Sequence, residues 1–120
     1  MFKYYNANPN GEITGDCVIR AISFILDLDY YKVLDILLNN SEYFNCDMLM
    51  RDCYAQTLSE GFGLPCYDGM GKTVREIAND LPYSKIILRT DGHLTSAKDG
   101  IIYDIWDTSD EIVDMFWVVI

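Results

Sequence analysis

A cysteine, the single histidine and two late aspartates carry the chemistry this chain can do. Cys17 stands in Gly15-Asp16-Cys17-Val18-Ile19-Arg20-Ala21-Ile22-Ser23, where a loop passes into an apolar helix. Asp16 has the side chain of an N-cap, able to accept from free first-turn N–H groups, so Cys17 is expected as the first helical residue. The unpaired N–H groups and the positive end of the helix dipole then face the sulfur and raise its thiolate fraction. The charge of Asp16 acts the other way, so an activated thiol here requires a cation. His93 is the histidine that can supply it.

Register brings a carboxylate to that histidine. Asp99-Gly100 is the dipeptide of a two-residue type I′ hairpin, which joins a strand from His93 to Lys98 to one from Ile101 to Trp106. If Lys98 pairs with Ile101, Thr95 falls opposite Asp104 and His93 opposite Trp106. Side chains alternate, so these four share one face, with Asp104 diagonal to His93. A carboxylate there fixes the imidazole tautomer, supports the imidazolium and leaves the second ring nitrogen for a thiol. Asp107, at the strand's end, points to the other face unless the backbone bends, and is the alternate orienter. Singly, each residue has an ordinary reading: core cysteine, satisfied histidine, strand-end aspartate. Together they form nucleophile, base and orienter in order.

The elements that must position them follow from periodicity and turn chemistry. Phe2 to Tyr5 reads as a short strand and Asn6 to Gly11 as a loop. Val18, Ala21, Ile22, Ile25 and Leu26 make one apolar stripe, with Arg20 the one charge in the first two turns. Asp29 caps a second helix to about Leu38, with Tyr30, Val33, Leu34 and Leu37 inward and Asn39-Asn40-Ser41 ending it. A third helix is expected over about Asp47 to Glu60, with Gly61 as its left-handed stop. Cys46 and Cys53 then lie on roughly one face as small buried hydrophobes.

Phe62 to Tyr67 reads as a strand or extended link, and Asp68-Gly69-Met70-Gly71 as a turn. Thr73 and Glu76 form a capping box for a short helix through Asn79. Lys85 to Arg89 and Met115 to Ile120 add strands. Helices first and an antiparallel sheet last give one α+β domain over residues 1–120.

Composition bounds the partners. With 19 Asp and Glu against 9 Lys and Arg, the net charge is −10. Such a surface repels phosphate backbones, which argues against direct nucleic-acid binding and favours a basic protein partner. Mimicry of nucleic acid in a basic groove is a rival reading. No apolar run approaches the roughly 20 residues of a membrane span, and the N-terminus has no apolar signal-peptide core, so a cytoplasmic protein is expected. The four cysteines include no C-x-x-C pair, and one histidine accompanies them. Free thiols are therefore expected, with neither metal nor cofactor.

Gly-Asp-Cys-Val-Ile-Arg-Ala-Ile-Ser at 15–23, Gly-His-Leu-Thr at 92–95 and Asp-Gly-Ile-Ile-Tyr-Asp-Ile-Trp-Asp-Thr-Ser at 99–109 resemble a group of small phage and prophage proteins with a papain-like fold. More widely, they are similar to papain-like cysteine peptidases. The resemblance implies N-terminal helices packed on a C-terminal antiparallel sheet, in a protein acting in the cytoplasm of a bacterial host. It makes Cys17 the nucleophile, His93 the base and Asp104 the orienter, with Trp106 the aromatic that shields it. The family's glutamine ahead of the cysteine is missing. Asn8 and Asn10 are the oxyanion candidates in its place, beside the Cys17 backbone N–H, and both also read as plain loop residues. A peptide or protein substrate follows, with hydrolase, deamidase and acyltransferase left open. The rival is a catalytically silent acidic scaffold that inhibits a host defence factor.

Overall fold

The Asp99-Gly100 turn sets the register of the sheet. Both residues take positive φ, 54° and 79°, as type I′ geometry requires. The strands β4 (His93–Lys98) and β5 (Ile101–Asp104) then pair Lys98 with Ile101, Ala97 with Ile102 and Ser96 with Tyr103. The computed structural model describes residues 1–119; Ile120, expected at the end of the closing strand, lies outside the described residues.

Four more strands complete the sheet: β1 (Phe2–Tyr4), β2 (Cys66–Asp68), β3 (Lys85–Thr90) and β6 (Met115–Val119), in the order β1-β5-β4-β3-β6-β2. β1 runs parallel to β5, so the sheet is mixed where an antiparallel one was expected. Almost the whole chain separates those two strands, and a connection of that length permits either direction.

Alternation divides the core between the two faces of the sheet. Ile87, Leu94 and Trp117 turn to one face, against Val18, Ile22 and Ile25 of α1 (Cys17–Leu26) and Val33 and Leu37 of α2 (Tyr30–Phe44). Ile86, Leu88, Ala97 and Ile102 turn to the other, against Val74, Ile77 and Ala78 of α4 (Val74–Asp80). Helices therefore cover both faces. The Thr73–Glu76 capping box opens α4 as expected.

Three local expectations are corrected. Asp29 caps α2 through Tyr31 and Lys32, but the helix runs past Asn39-Asn40-Ser41 to Phe44 and ends on Asn45 at φ 56°. Isolated Asn and Ser weaken a helix without stopping it, whereas a left-handed C-cap does. The third helix is shorter: α3 covers Arg51–Gln56 and continues as a π-helical turn, Thr57–Gly61. Its left-handed glycine is Gly63, at φ 67°, rather than Gly61.

Cys46 and Cys53 are joined as a disulfide, not separate thiols, with Cα atoms 5.7 Å apart. On one continuous helix seven residues would rise about 10.5 Å. The turn over residues 47–50 brings the two together.

Candidate active site

α1 begins at Cys17, as the sequence implies, yet Asp16 does not cap it. Its carboxylate makes no bond to the first turn, so the amides of Cys17 and its neighbours keep no capping partner. Asp16 is buried and turned inward instead. It accepts from Arg20 Nε at 2.7 Å, from the Tyr30 hydroxyl at 2.7 Å and from Asn8 Nδ2 at 3.0 Å. Burial pushes the Asp16 carboxyl up, but these donors together hold it below the ordinary carboxylate range. The charge that seemed set against the thiol is thus occupied by its own neighbours.

The hairpin delivers the histidine. His93 Nε2 lies 2.7 Å from Asp104 Oδ2, across the strands β4 and β5 as the register requires. Cys17, His93 and Leu94 line one cavity, and His93 and the Leu94 backbone N–H both act to lower the pKa of the Cys17 thiol. Since Nε2 is taken by Asp104, the ring nitrogen left for the sulfur is Nδ1. Asp104 also accepts at Oδ1 from Arg20 Nη1 at 3.1 Å and from the Ile105 N–H at 2.7 Å. Arg20 therefore bridges two buried carboxylates, one next to Cys17 in sequence and one bonded to His93.

This network sets the charge states. Burial works against an imidazolium, but the bonds to Asp104 and Cys17 prevail and raise the His93 pKa to about 9. Burial also pushes the Cys17 thiol up, while His93, the Leu94 amide and the charge of Arg20 bring it below its ordinary value. The Asp104 carboxyl is lowered against its burial by His93 and Thr95. Arg20 balances one of the two buried carboxylates and protonated His93 the other. Both shifts favour a thiolate beside an imidazolium.

A cavity of about 230 Å³ opens on the sulfur, lined in part by Val18, Leu49, Met50 and Tyr54, with Arg51, Arg89 and His93. Leu49 to Arg51 lie within the segment closed by the disulfide, so that covalent bond holds one wall of the cavity in place. Trp106, 42% exposed, sets its ring 5.1 Å from the His93 ring and partly covers it. Neither asparagine reaches the cavity. Asn8 gives its amide to Asp16, and Asn10 is exposed in the loop with its N–H on Asn8 Oδ1. The donor on hand for an oxyanion is the Cys17 backbone N–H.

Asp107 is exposed and accepts from the N–H and hydroxyl of Ser109. The carboxylate bonded to His93 is that of Asp104. Arg20 is the site residue that helix periodicity alone does not reveal, although a lone charge in an apolar first turn, four residues after Asp16, signals a buried partner. Tyr30 was assigned to the core by its spacing, and its hydroxyl turns out to hold Asp16.

Among the described residues no group of three or more His, Cys, Asp or Glu side chains is placed to hold a metal ion, and no helix is long and apolar enough to cross a membrane. No protein-family model, curated protein or solved structure matches this chain.

Proposed function

We propose that the protein is a papain-like thiol enzyme that transfers an acyl group from a peptide or amide bond, encoded by a phage or prophage. The observation that supports this reading is the 2.7 Å bond between the His93 imidazole and the Asp104 carboxylate, with His93 and Cys17 lining one cavity. The Cys17 thiolate attacks the carbonyl carbon and forms a C–S bond. The negative charge on the carbonyl oxygen is met by the Cys17 backbone N–H. His93 passes its proton to the departing nitrogen as the C–N bond breaks, leaving a thioester. Water or a second amine, losing its proton to His93, then resolves the thioester.

Alkylation of the purified protein with iodoacetamide at near-neutral pH tests the nucleophile. Cys17 should react far faster than Cys66, a free exposed cysteine whose thiol is pushed up by burial of its sulfur despite the charge of Arg89. Equal rates would overturn the reading. The acidic charge of −10 favours a second one, a silent scaffold that blocks a basic host protein. On that reading Cys17→Ala keeps the biological effect and charge reversal of exposed carboxylates abolishes it.

A further inference from the structure

The wall of the cavity opposite the relay carries two arginines in a chain that is otherwise strongly acidic. Arg89, on β3, is only 6% exposed. Its Nε donates to Asp114 Oδ1 at 3.0 Å and its Nη1 to the Arg51 carbonyl at 3.2 Å. The guanidinium lies over the Trp117 ring, 5.9 Å from its centroid. Nη2 has no partner among the described residues, and no buried side-chain nitrogen is left unsatisfied there. Nη2 is therefore accessible. Arg89 lines the cavity, so that is where the open nitrogen can meet a ligand.

Arg51 adds a second guanidinium to the same wall, paired to the other oxygen of Asp114. One aspartate between two arginines leaves a positive charge in excess. The charges of both arginines fall on Tyr54, whose hydroxyl shares the cavity and is pushed up to about 12, by burial before all else. The remaining lining is Val18, Leu49, Met50 and Leu94, which are apolar, with Thr90 and Gly92. A guanidinium with a free N–H in such surroundings is a carboxylate-binding element, because the surrounding low dielectric strengthens a charged hydrogen bond.

We infer that this cavity is an anion-selective subsite: Arg89, supported by Arg51, receives a carboxylate on the substrate next to the carbonyl that Cys17 attacks. The inference rests on the thiol-enzyme reading and specifies its substrate as an acyl donor bearing a carboxylate, of the kind an acidic amino-acid residue presents. Neutral and cationic acyl groups of the same size lack a partner for the free N–H and are poorer substrates.

Iodoacetate and iodoacetamide separate the two readings. Both alkylate the same thiolate, so the ratio of their rates at Cys17 divides out the thiolate fraction and reports the pull on an anion. His93 contributes equally in every variant. Arg51→Gln, at an exposed side chain, and Arg89→Gln, with folding checked by thermal melting, should each lower the iodoacetate-to-iodoacetamide ratio by about threefold or more relative to the unaltered protein. An unchanged ratio in Arg51→Gln, and in Arg89→Gln if it folds, with Cys17 still reacting faster than Cys66, would overturn the anion subsite and leave the thiol enzyme standing. A Cys17 no more reactive than Cys66 toward iodoacetamide would overturn both.

Discussion

Two arginine–aspartate clusters lie near Cys17 and His93, and they differ in what surrounds them. Arg20 with Asp16 and Asp104 is sealed, each residue 5–6% exposed. Every charge there is answered by another protein group. Arg89 and Arg51 with Asp114 stand at the cavity, with the side chains of Arg51 and Asp114 52% and 42% exposed. A closed set of ion pairs can hold a ring in place and tune its proton, but nothing can be added to it. An open set with a spare N–H can take a ligand. Arg89 is as buried as Arg20, so what separates the clusters is the exposure of Arg51 and Asp114 around it.

Breaking the sealed cluster should have the largest effect. Arg20→Met leaves Asp16 and Asp104 buried without their cation, and removal of one partner from a buried pair costs about 3–5 kcal/mol. Urea unfolding should show that loss. Asp16 then keeps only the neutral donors Tyr30 and Asn8, while Asp104 keeps His93 and the Ile105 N–H.

Asp104→Asn tests the same cluster by rate. An amide accepts more weakly from His93 and does not support the imidazolium, so alkylation or turnover at Cys17 should fall about 10²- to 10⁴-fold. The pH profile gives the sign. In the unaltered protein the alkylation rate rises as Cys17 ionises below its ordinary pKa and changes again near pH 9, where His93 loses its proton. The stability contributed by His93 is complete below its unfolded value of 6.5 and is lost as pH rises through about 9. The contributions of Asp16 and Asp104 run the other way, present above 3.8 and lost as pH falls below it. Melting across this range should show both losses, and Asp104→Asn should diminish the alkaline one.

The relay was legible where local chemistry dictates geometry. Asp99-Gly100 admits one turn type, and with it the register that places Asp104 against His93. Thr73 and Glu76 likewise announce a helix start by themselves. Whatever depends on distant partners was hidden. Asp16 looks like a cap until Arg20, Tyr30 and Asn8 are folded around it. Arg20 meets Asp104 across 84 residues, a separation that periodicity in either element does not encode. The disulfide was missed because a continuous helix was expected through Cys46 and Cys53, which would have held them apart. Arg89 sits in an apolar strand, and its role depends on Asp114 and Arg51 from two other segments.

The disulfide sharpens the comparison, because Arg51 follows the segment 47–50 directly while Arg20 sits on a ten-residue helix. Cys46→Ser should cost about 2 kcal/mol through the unfolded chain alone, as expected for so short a loop. The cavity wall at Leu49 to Arg51 loosens with it. KM should therefore rise for a carboxylate-bearing substrate, while the alkylation rate of Cys17 by iodoacetamide stays nearly constant, since the sealed cluster is untouched. A fall in iodoacetamide reactivity equal to the rise in KM would show that the wall and the relay are coupled.

The smallest effect belongs to Arg51→Gln measured by stability. Its bridge to Asp114 joins two half-exposed side chains, and pairs in that setting contribute less than about 1 kcal/mol. Asp114 keeps Arg89 Nε as a partner, so no charge is stranded. Salt separates the clusters further. At about 0.15 M the screening length is about 8 Å, so the pull of the open wall on iodoacetate should weaken steadily as salt is added. The bond between His93 and Asp104 is largely buried, with side chains 13% and 3% exposed, so salt screens it little and the iodoacetamide rate should scarcely change. Equal salt sensitivity of the two rates would mean that the open arginines exert no selective pull on the anion.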